Sequence, residues 1–424
     1  MLVFWLFVLS ATAYLDRVNV SIAARAIQEE YRISNVQLGW VFSAFVAGYA
    51  LFQAPGGRLA DRFGPRWVIG LGALWWSVFT VLTALVPTGA GFSLAMLVSV
   101  RFLLGAGEAV IYPSANRMVA NWIPTAERGL ANGIIFAGVG VGAGITPPLI
   151  VYVMLHHGWR WSFYTCALVG VCVGYIWYLL ARDTPRSHPR MGARELARIE
   201  AGIPDSNAPA RTLGWGAIAG DRNLLAITAS YFTVGYAAYI FHTWFFTYLT
   251  RVRGLDLKSS AVYSMLPFLA MAIGSPLGGG ISDRIAARYG KRAGRCGVAA
   301  VSMALGAVFL AAATQVAGAR LACVVLAGGA GALCLAQSAY FAVTADIAGR
   351  SAGAASGLVN TGAQAGGVIT ASLTPWIADR FGWTASFLVA AALCALGALA
   401  WLAVDPNASL EASRNGSGEG GTHA

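Results

Sequence analysis

Residues 91–119 read GFSLAMLVSVRFLLGAGEAVIYPSANRMV, an apolar run long enough to cross a bilayer that nevertheless contains Arg101 and Glu108. Seven residues apart, the two charges share one face of a helix. A charge at mid-bilayer costs at least about 2.5 to 3.5 kcal/mol on insertion scales, so that face is expected to line a polar interior. Asp16 and Arg17 interrupt the first apolar run in the same way. These four residues are where function is expected.

The rest of the chain fits this reading. Of its 424 residues 57% are hydrophobic and 11% charged, against about 25% charged in an ordinary soluble domain. Apolar runs of membrane-spanning length are expected at 1–24, 35–57, 67–86, 91–118, 127–152, 160–181, 222–250, 258–283, 295–316, 319–345, 350–378 and 383–404. Twelve spans place both termini on one side. The net charge of +11 does not form a nucleic-acid-binding stripe, because the basic residues lie in short loops. Nineteen of the 29 Lys and Arg fall in the termini and the loops on their side, and eight on the other, so both ends are expected in the cytoplasm.

All six cysteines fall within or at the ends of apolar runs, which points to packing and not to a disulfide framework. The stretch ending Ala11-Thr12-Ala13 imitates a secretory cleavage site, but no basic segment precedes it and the run continues past Asp16 and Arg17. His156-His157 lacks a third ligand nearby, so no metal is expected. No phosphate-binding glycine loop is present, and no cofactor is expected.

Sliding the chain against itself by 224 residues aligns 129–163 with 353–387 at eleven identities in 35 positions, Gly138, Gly142, Gly158 and Trp159 meeting Gly362, Gly366, Gly382 and Trp383. The expected organisation is therefore a six-helix bundle over 1–181, a polar cytoplasmic linker over 182–221, a second six-helix bundle over 222–405 and a disordered tail over 406–424.

Gly57-Arg58-Leu59-Ala60-Asp61-Arg62-Phe63-Gly64, echoed at Asp283-Arg284, resembles the loop signature of the major facilitator superfamily. Tyr14-Leu15-Asp16-Arg17-Val18-Asn19 and Arg101-Phe102-Leu103-Leu104-Gly105-Ala106-Gly107-Glu108 look like signatures of its anion:cation symporter branch, which includes carriers of sugar acids and other organic anions. The resemblance implies an all-α membrane fold of two pseudo-symmetric six-helix bundles that work by alternating access. Gly57, Asp61, Arg62, Asp283 and Arg284 would then belong to the cytoplasmic gate. At the fifth-span position where sugar-acid carriers can present an amide, this chain has Val139, and Thr146-Pro147-Pro148 stands where drug antiporters have Gly-Pro.

An arginine facing a cavity presents a fork suited to a carboxylate, so Arg17 is the expected anion clamp, with Tyr14, Tyr49, Asn360 and Gln364 as candidate uncharged partners. Asp16 and Glu108 are the expected proton carriers and Arg101 the link between them. The expected function is proton-coupled uptake of a small organic anion across a bacterial-type inner membrane by a monomer. An exchanger or facilitator without proton coupling is the alternative, and an efflux carrier or membrane sensor is less favoured. No nucleophile, base and orienter trio indicates an enzyme.

Overall fold

The computed structural model describes residues 1–89, 91–124, 128–189, 191–201, 215–348 and 352–408; within these, the side chains of 54, 61, 128–130, 215, 217, 345 and 352–354 are not described. Most of the expected tail, much of the linker and the side chain of Asp61 therefore lie outside the described residues. The chain is almost wholly helical: α1 (Leu2–Ile22), α2 (Ala24–Tyr31), α3 (Asn35–Phe63), α4 (Pro65–Leu85), α5 (Ser93–Glu108), α6 (Ile111–Trp122), α7 (Arg128–His157), α8 (Trp159–Leu180), α9 (Ala193–Ala201), α10 (Trp215–Ala219), α11 (Arg222–Thr243), α12 (Phe245–Arg251), α13 (Leu257–Tyr289), α14 (Val298–Gln315), α15 (Ala319–Leu335), α16 (Gln337–Ala348) and α17 (Ala352–Leu402).

Among the described residues eleven helical stretches are long and apolar enough to cross a membrane. The last of them contains two of the expected spans, because α17 turns at Gly382, whose φ of 83° is left-handed. Gly158, between α7 and α8, has φ 85°. These are partners in the 224-residue repeat, so the internal duplication extends to backbone torsions that favour glycine.

Several boundaries differ from expectation. The expected spans at 222–250 and 319–345 are each two helices, α11 with α12 and α15 with α16, and the expected span at 258–283 runs on to Tyr289. Two further differences bear on the site. The expected fourth span is two helices, α5 and α6, with a break at Ala109 and Val110 just beyond Glu108. The second runs on to Phe63 because Arg58-Leu59-Ala60-Asp61-Arg62 contains good helix formers, and the stop comes at Gly64-Pro65.

Contacts divide the chain into two units. The first comprises Met1–Asn207, Ile240–Phe268 and Ala371–Asp379, and the second Ala208–Tyr239, Leu269–Thr370 and Arg380–Ala424. Each is held by small residues that let helix backbones touch, which is how helices associate where lipid removes the hydrophobic drive. In the first unit, a Cβ at Gly138 would lie 2.5 Å from the Phe7 carbonyl oxygen, and one at Gly142 would lie 2.2 Å from that of Ala11. In the second, Gly362 and Gly366 meet the carbonyls of Thr228 and Phe232 at 2.5 and 2.2 Å. The same pair of repeat positions makes the same kind of contact in each unit.

The α3 and α5 helices are locked reciprocally. A Cβ at Gly48 would lie 2.1 Å from the Phe102 carbonyl oxygen, and one at Gly105 2.1 Å from that of Phe45. This seam fixes the two helices that flank the buried charges of α1.

Candidate functional site: a buried charge cluster in the first unit

The residues that hydrocarbon disfavours converge. On α1, Asp16 is 2% and Arg17 9% exposed; on α5, Arg101 is 1% and Glu108 0% exposed. Arg17 Nε donates to Glu108 Oε1, a buried ion pair between α1 and α5. The sequence had Arg101 as the carboxylates' link, but the guanidinium bonded to Glu108 is that of Arg17. Helix periodicity says which face a side chain is on and cannot say which neighbouring helix that face meets.

Aromatic rings surround the Arg17 guanidinium. Its Cζ lies 4.1 Å from the Tyr49 ring centroid, 4.7 Å from that of Tyr14 and 5.4 Å from that of Phe45. Arg17 Nη1 also donates to Tyr14 Oη at 3.4 Å. Arg101 stacks 4.8 Å from the Phe45 centroid, so one ring is shared by two cations. Within the first unit, the Tyr14 and His242 rings meet edge-to-face at 5.6 Å between centroids.

Asp16 is held from a helix that sequence reasoning left without a role. Thr80 Oγ1, on α4, donates to Asp16 Oδ2 at 2.6 Å. Asp16 Oδ1, Glu108 Oε2 and Arg101 Nε and Nη1 have no hydrogen-bond partner among the described residues. The cluster thus contains two cations and two anions, formally neutral when all are ionised, with hydrogen-bonding capacity left over. Ser10 and Tyr112 are hydrogen-bonded at 2.8 Å, and the Tyr112 ring stacks on Phe136 at 5.4 Å with an interplanar angle of 2°. Single hydroxyls and rings in apolar helices look like packing in a sequence, which is why Thr80, Ser10, Tyr112 and Phe136 carried no signal there.

In the second unit, Gln364 Oε1 accepts from Tyr239 Oη at 2.8 Å, and Asn360 is half-buried. Gln337 Nε2 donates to Tyr231 Oη at 2.6 Å. Of the gate residues, Asp283 pairs with Arg295 at 2.7 Å, Arg284 is exposed, and Arg62 lies 5.2 Å from the Phe63 ring. A Cβ at Gly57 would make ordinary contact with Pro113 at 3.5 Å. The tighter approach is one residue earlier, where Gly56 would meet Val110 at 3.0 Å.

A polar clasp occupies the far end of the first unit. Asn35 Oδ1 accepts from Gln28 Nε2 at 2.9 Å and from Arg251 Nη1 at 3.3 Å, while Asn35 Nδ2 donates to Asp379 Oδ1 at 2.9 Å. Trp244 Nε1 donates to the Ala371 carbonyl at 3.0 Å, and Ser43 bonds Ser372 at 2.7 Å. Beside them Glu30 accepts from Arg160 Nη1 and from Trp159 Nε1, each at 2.8 Å. The bond from Arg160 holds the Glu30 carboxyl below the usual carboxylate range.

A helical membrane protein with an internally repeated architecture, glycine-locked helix pairs and a buried, balanced charge cluster has the build of a multi-pass secondary transporter. Residues 6–348 and 285–421 match the Major Facilitator Superfamily, and the chain belongs to it. It is 36% identical over 410 residues to a probable sulfoacetate transporter of Cupriavidus necator, covering 96% of this chain and 94% of that one. It is 31% identical to a chloroplastic ascorbate transporter of Arabidopsis thaliana, covering 91% of this chain and 71% of the relative. The fold is similar to the crystal structure of a bacterial homolog of the human lysosomal transporter Spinster in an inward-facing, occupied conformation, with a TM-score of 0.75, 18% identity and 95% of each chain covered. The chain is a transporter and not an enzyme.

Proposed function

We propose that this protein imports a small organic anion together with a proton across a bacterial-type inner membrane, with both termini in the cytoplasm. The observation that carries the reading is the Arg17–Glu108 pair. An incoming carboxylate or sulfonate needs the same guanidinium that Glu108 occupies. A proton on Glu108 removes the competitor and leaves the cluster one positive charge in excess, which the anion then balances. Anion and proton therefore favour each other's binding, the thermodynamic basis of symport.

In this reading Arg17 clamps the anion, with the Tyr14 and Tyr49 rings beside it holding the guanidinium in place. Asp16 is the second proton carrier, and Arg101 balances whichever carboxylate is ionised. In the second unit, Asn360 and Gln364 are assigned to uncharged parts of the substrate. Asp61, Asp283 and the arginines of the repeated loop signature are assigned to the cytoplasmic gate. Val139, in place of an amide, argues for an anion with few hydroxyls, and the similarity to a sulfoacetate carrier makes sulfoacetate the first compound to try.

Purified protein is screened by thermal shift against sulfoacetate, sugar acids, dicarboxylates and aromatic acids, because a ligand that binds the folded state raises the melting temperature by mass action. The compound found is then supplied to proteoliposomes with and without an inward proton gradient. Accumulation above the external concentration only with the gradient supports proton-coupled import. Saturable counterflow with no gradient-driven accumulation would replace it by an exchanger or facilitator.

A further inference from the structure

Many buried hydroxyls in these helices bond a carbonyl three or four residues back on the same helix. On α4 itself Ser77 donates to Ala73 O at 2.7 Å and Thr83 to Phe79 O at 2.8 Å, and elsewhere Thr12 and Thr146 do the same. This local bond satisfies the hydroxyl without any neighbour. Thr80, fully buried between Ser77 and Thr83, departs from it and donates across to Asp16 Oδ2.

The departure has a chemical consequence for Asp16. A hydroxyl donating to an ionised carboxylate makes a bond about twice as strong as one donating to a neutral acceptor, so the donor favours the charged form. Oδ1, which has no hydrogen-bond partner among the described residues, is left as the one that takes a proton. The charged and titratable groups facing Asp16 are Arg101 and Glu108 from α5, Cys166 from α8 and Arg17 from its own helix. The hydrogen bond that the structure gives Asp16 comes from Thr80.

We propose that Thr80 is a positioning residue for proton coupling: its hydroxyl holds Asp16 by Oδ2, presents Oδ1 to the incoming proton, and sets how readily that proton is held. This rests on the assignment of Asp16 as a proton carrier. Thr80 keeps its own proton throughout; the proton that arrives ends on Oδ1, and Thr80 then donates to the carbonyl oxygen of a neutral acid. The competing role is plain adhesion between α1 and α4, which would affect stability and leave proton affinity alone.

The test reads Asp16 directly and needs no substrate. Infrared difference spectra of the full chain in liposomes, titrated with pH, show protonation of buried carboxyls, and the Asp16 contribution is the band missing in D16N. T80V keeps the branched shape and loses the hydroxyl; T80S keeps the hydroxyl. The expected result is a midpoint for the Asp16 band about one pH unit higher in T80V, an approximately tenfold gain in proton affinity, with T80S close to wild type. A T80V band at the wild-type midpoint overturns the proposal, even where the melting temperature falls, since that is adhesion. If D16N loses no band at all, Asp16 is not a proton carrier, and that failure is distinct from an unmoved T80V band.

Discussion

Replacing Glu108 by Gln tests the competition on which proton coupling is argued. Among the described residues the carboxylate shown bonded to Arg17 is that of Glu108, while Asp16 is engaged with Thr80. One group competing directly for the guanidinium means one proton linked through that competition, apart from any proton that Asp16 carries. Above the titration range of that group, anion affinity is expected to fall towards a limit of about tenfold per pH unit, about 1.36 kcal/mol for each unit. Glu108→Gln places a neutral amide against the guanidinium, so the slope is expected to flatten. Two units into the alkaline limb the variant would bind about a hundredfold more tightly than wild type. The unliganded variant is expected to melt lower, because removing one partner of a buried pair costs on the order of 3 to 5 kcal/mol, and the bound anion is expected to restore much of the loss by supplying the missing negative charge. Proton-driven accumulation should disappear while exchange of internal for external substrate survives. Calorimetric titration of both proteins with sulfoacetate, or with the compound found by thermal shift, across a pH series measures the slopes directly. A wild-type affinity flat with pH, or a Glu108→Gln slope as steep as wild type, would refute the competition.

Arg17→Lys keeps the charge but loses the planar fork stacked on three rings; anion affinity measured by calorimetry should fall by about tenfold or more with membrane insertion unchanged. Gly105→Ala sets a methyl 2.1 Å from the Phe45 carbonyl and should cost about 1 to 3 kcal/mol by overpacking, seen as a lower melting temperature. Gly133→Ala, with nothing within 4 Å of the new methyl, should be neutral or stabilising and serves as its control. Glu30 is held below the usual carboxylate range by Arg160, so its contribution to stability is complete above an unfolded-state value of about 4.3 and is lost as pH falls through the lower folded value. Glu30→Gln should therefore lower stability near neutrality, where that contribution is complete, and flatten the acid limb so that the variant and wild type converge at the most acid pH.

The fold was legible because a bilayer forces hydrophobic runs of fixed length, and because the repeat places glycines in register: Gly158 and Gly382 predicted by alignment turn out to share a left-handed torsion. The charged members of the site were legible for a related reason. Hydrocarbon penalises Asp16, Arg17, Arg101 and Glu108 so heavily that their presence is itself the signal. Their pairing was not, since a seven-residue spacing puts Arg101 and Glu108 on one face without deciding whether Arg17 or Arg101 meets Glu108. Thr80 was invisible because its sequence neighbours Ser77 and Thr83 are hydroxyls of the same kind, and only the partner distinguishes them. The break after Glu108 has its sequence signal four residues on from Ala109, in Pro113, which cannot donate to the Ala109 carbonyl and crowds it.

Phe45 has its carbonyl pressed against Gly105 and its ring shared by Arg17 and Arg101. Backbone and side chain are thus constrained by different neighbours, and in evolutionary terms the position has no independent direction in which to drift. A lineage that acquires a new substrate must leave this ring and its glycine seam untouched and vary positions outside them, such as Val139 or the stacked pair Tyr112 and Phe136. Divergence in cargo within this lineage is accordingly expected to be written on α6 and α7, while the α3–α5 seam stays nearly silent.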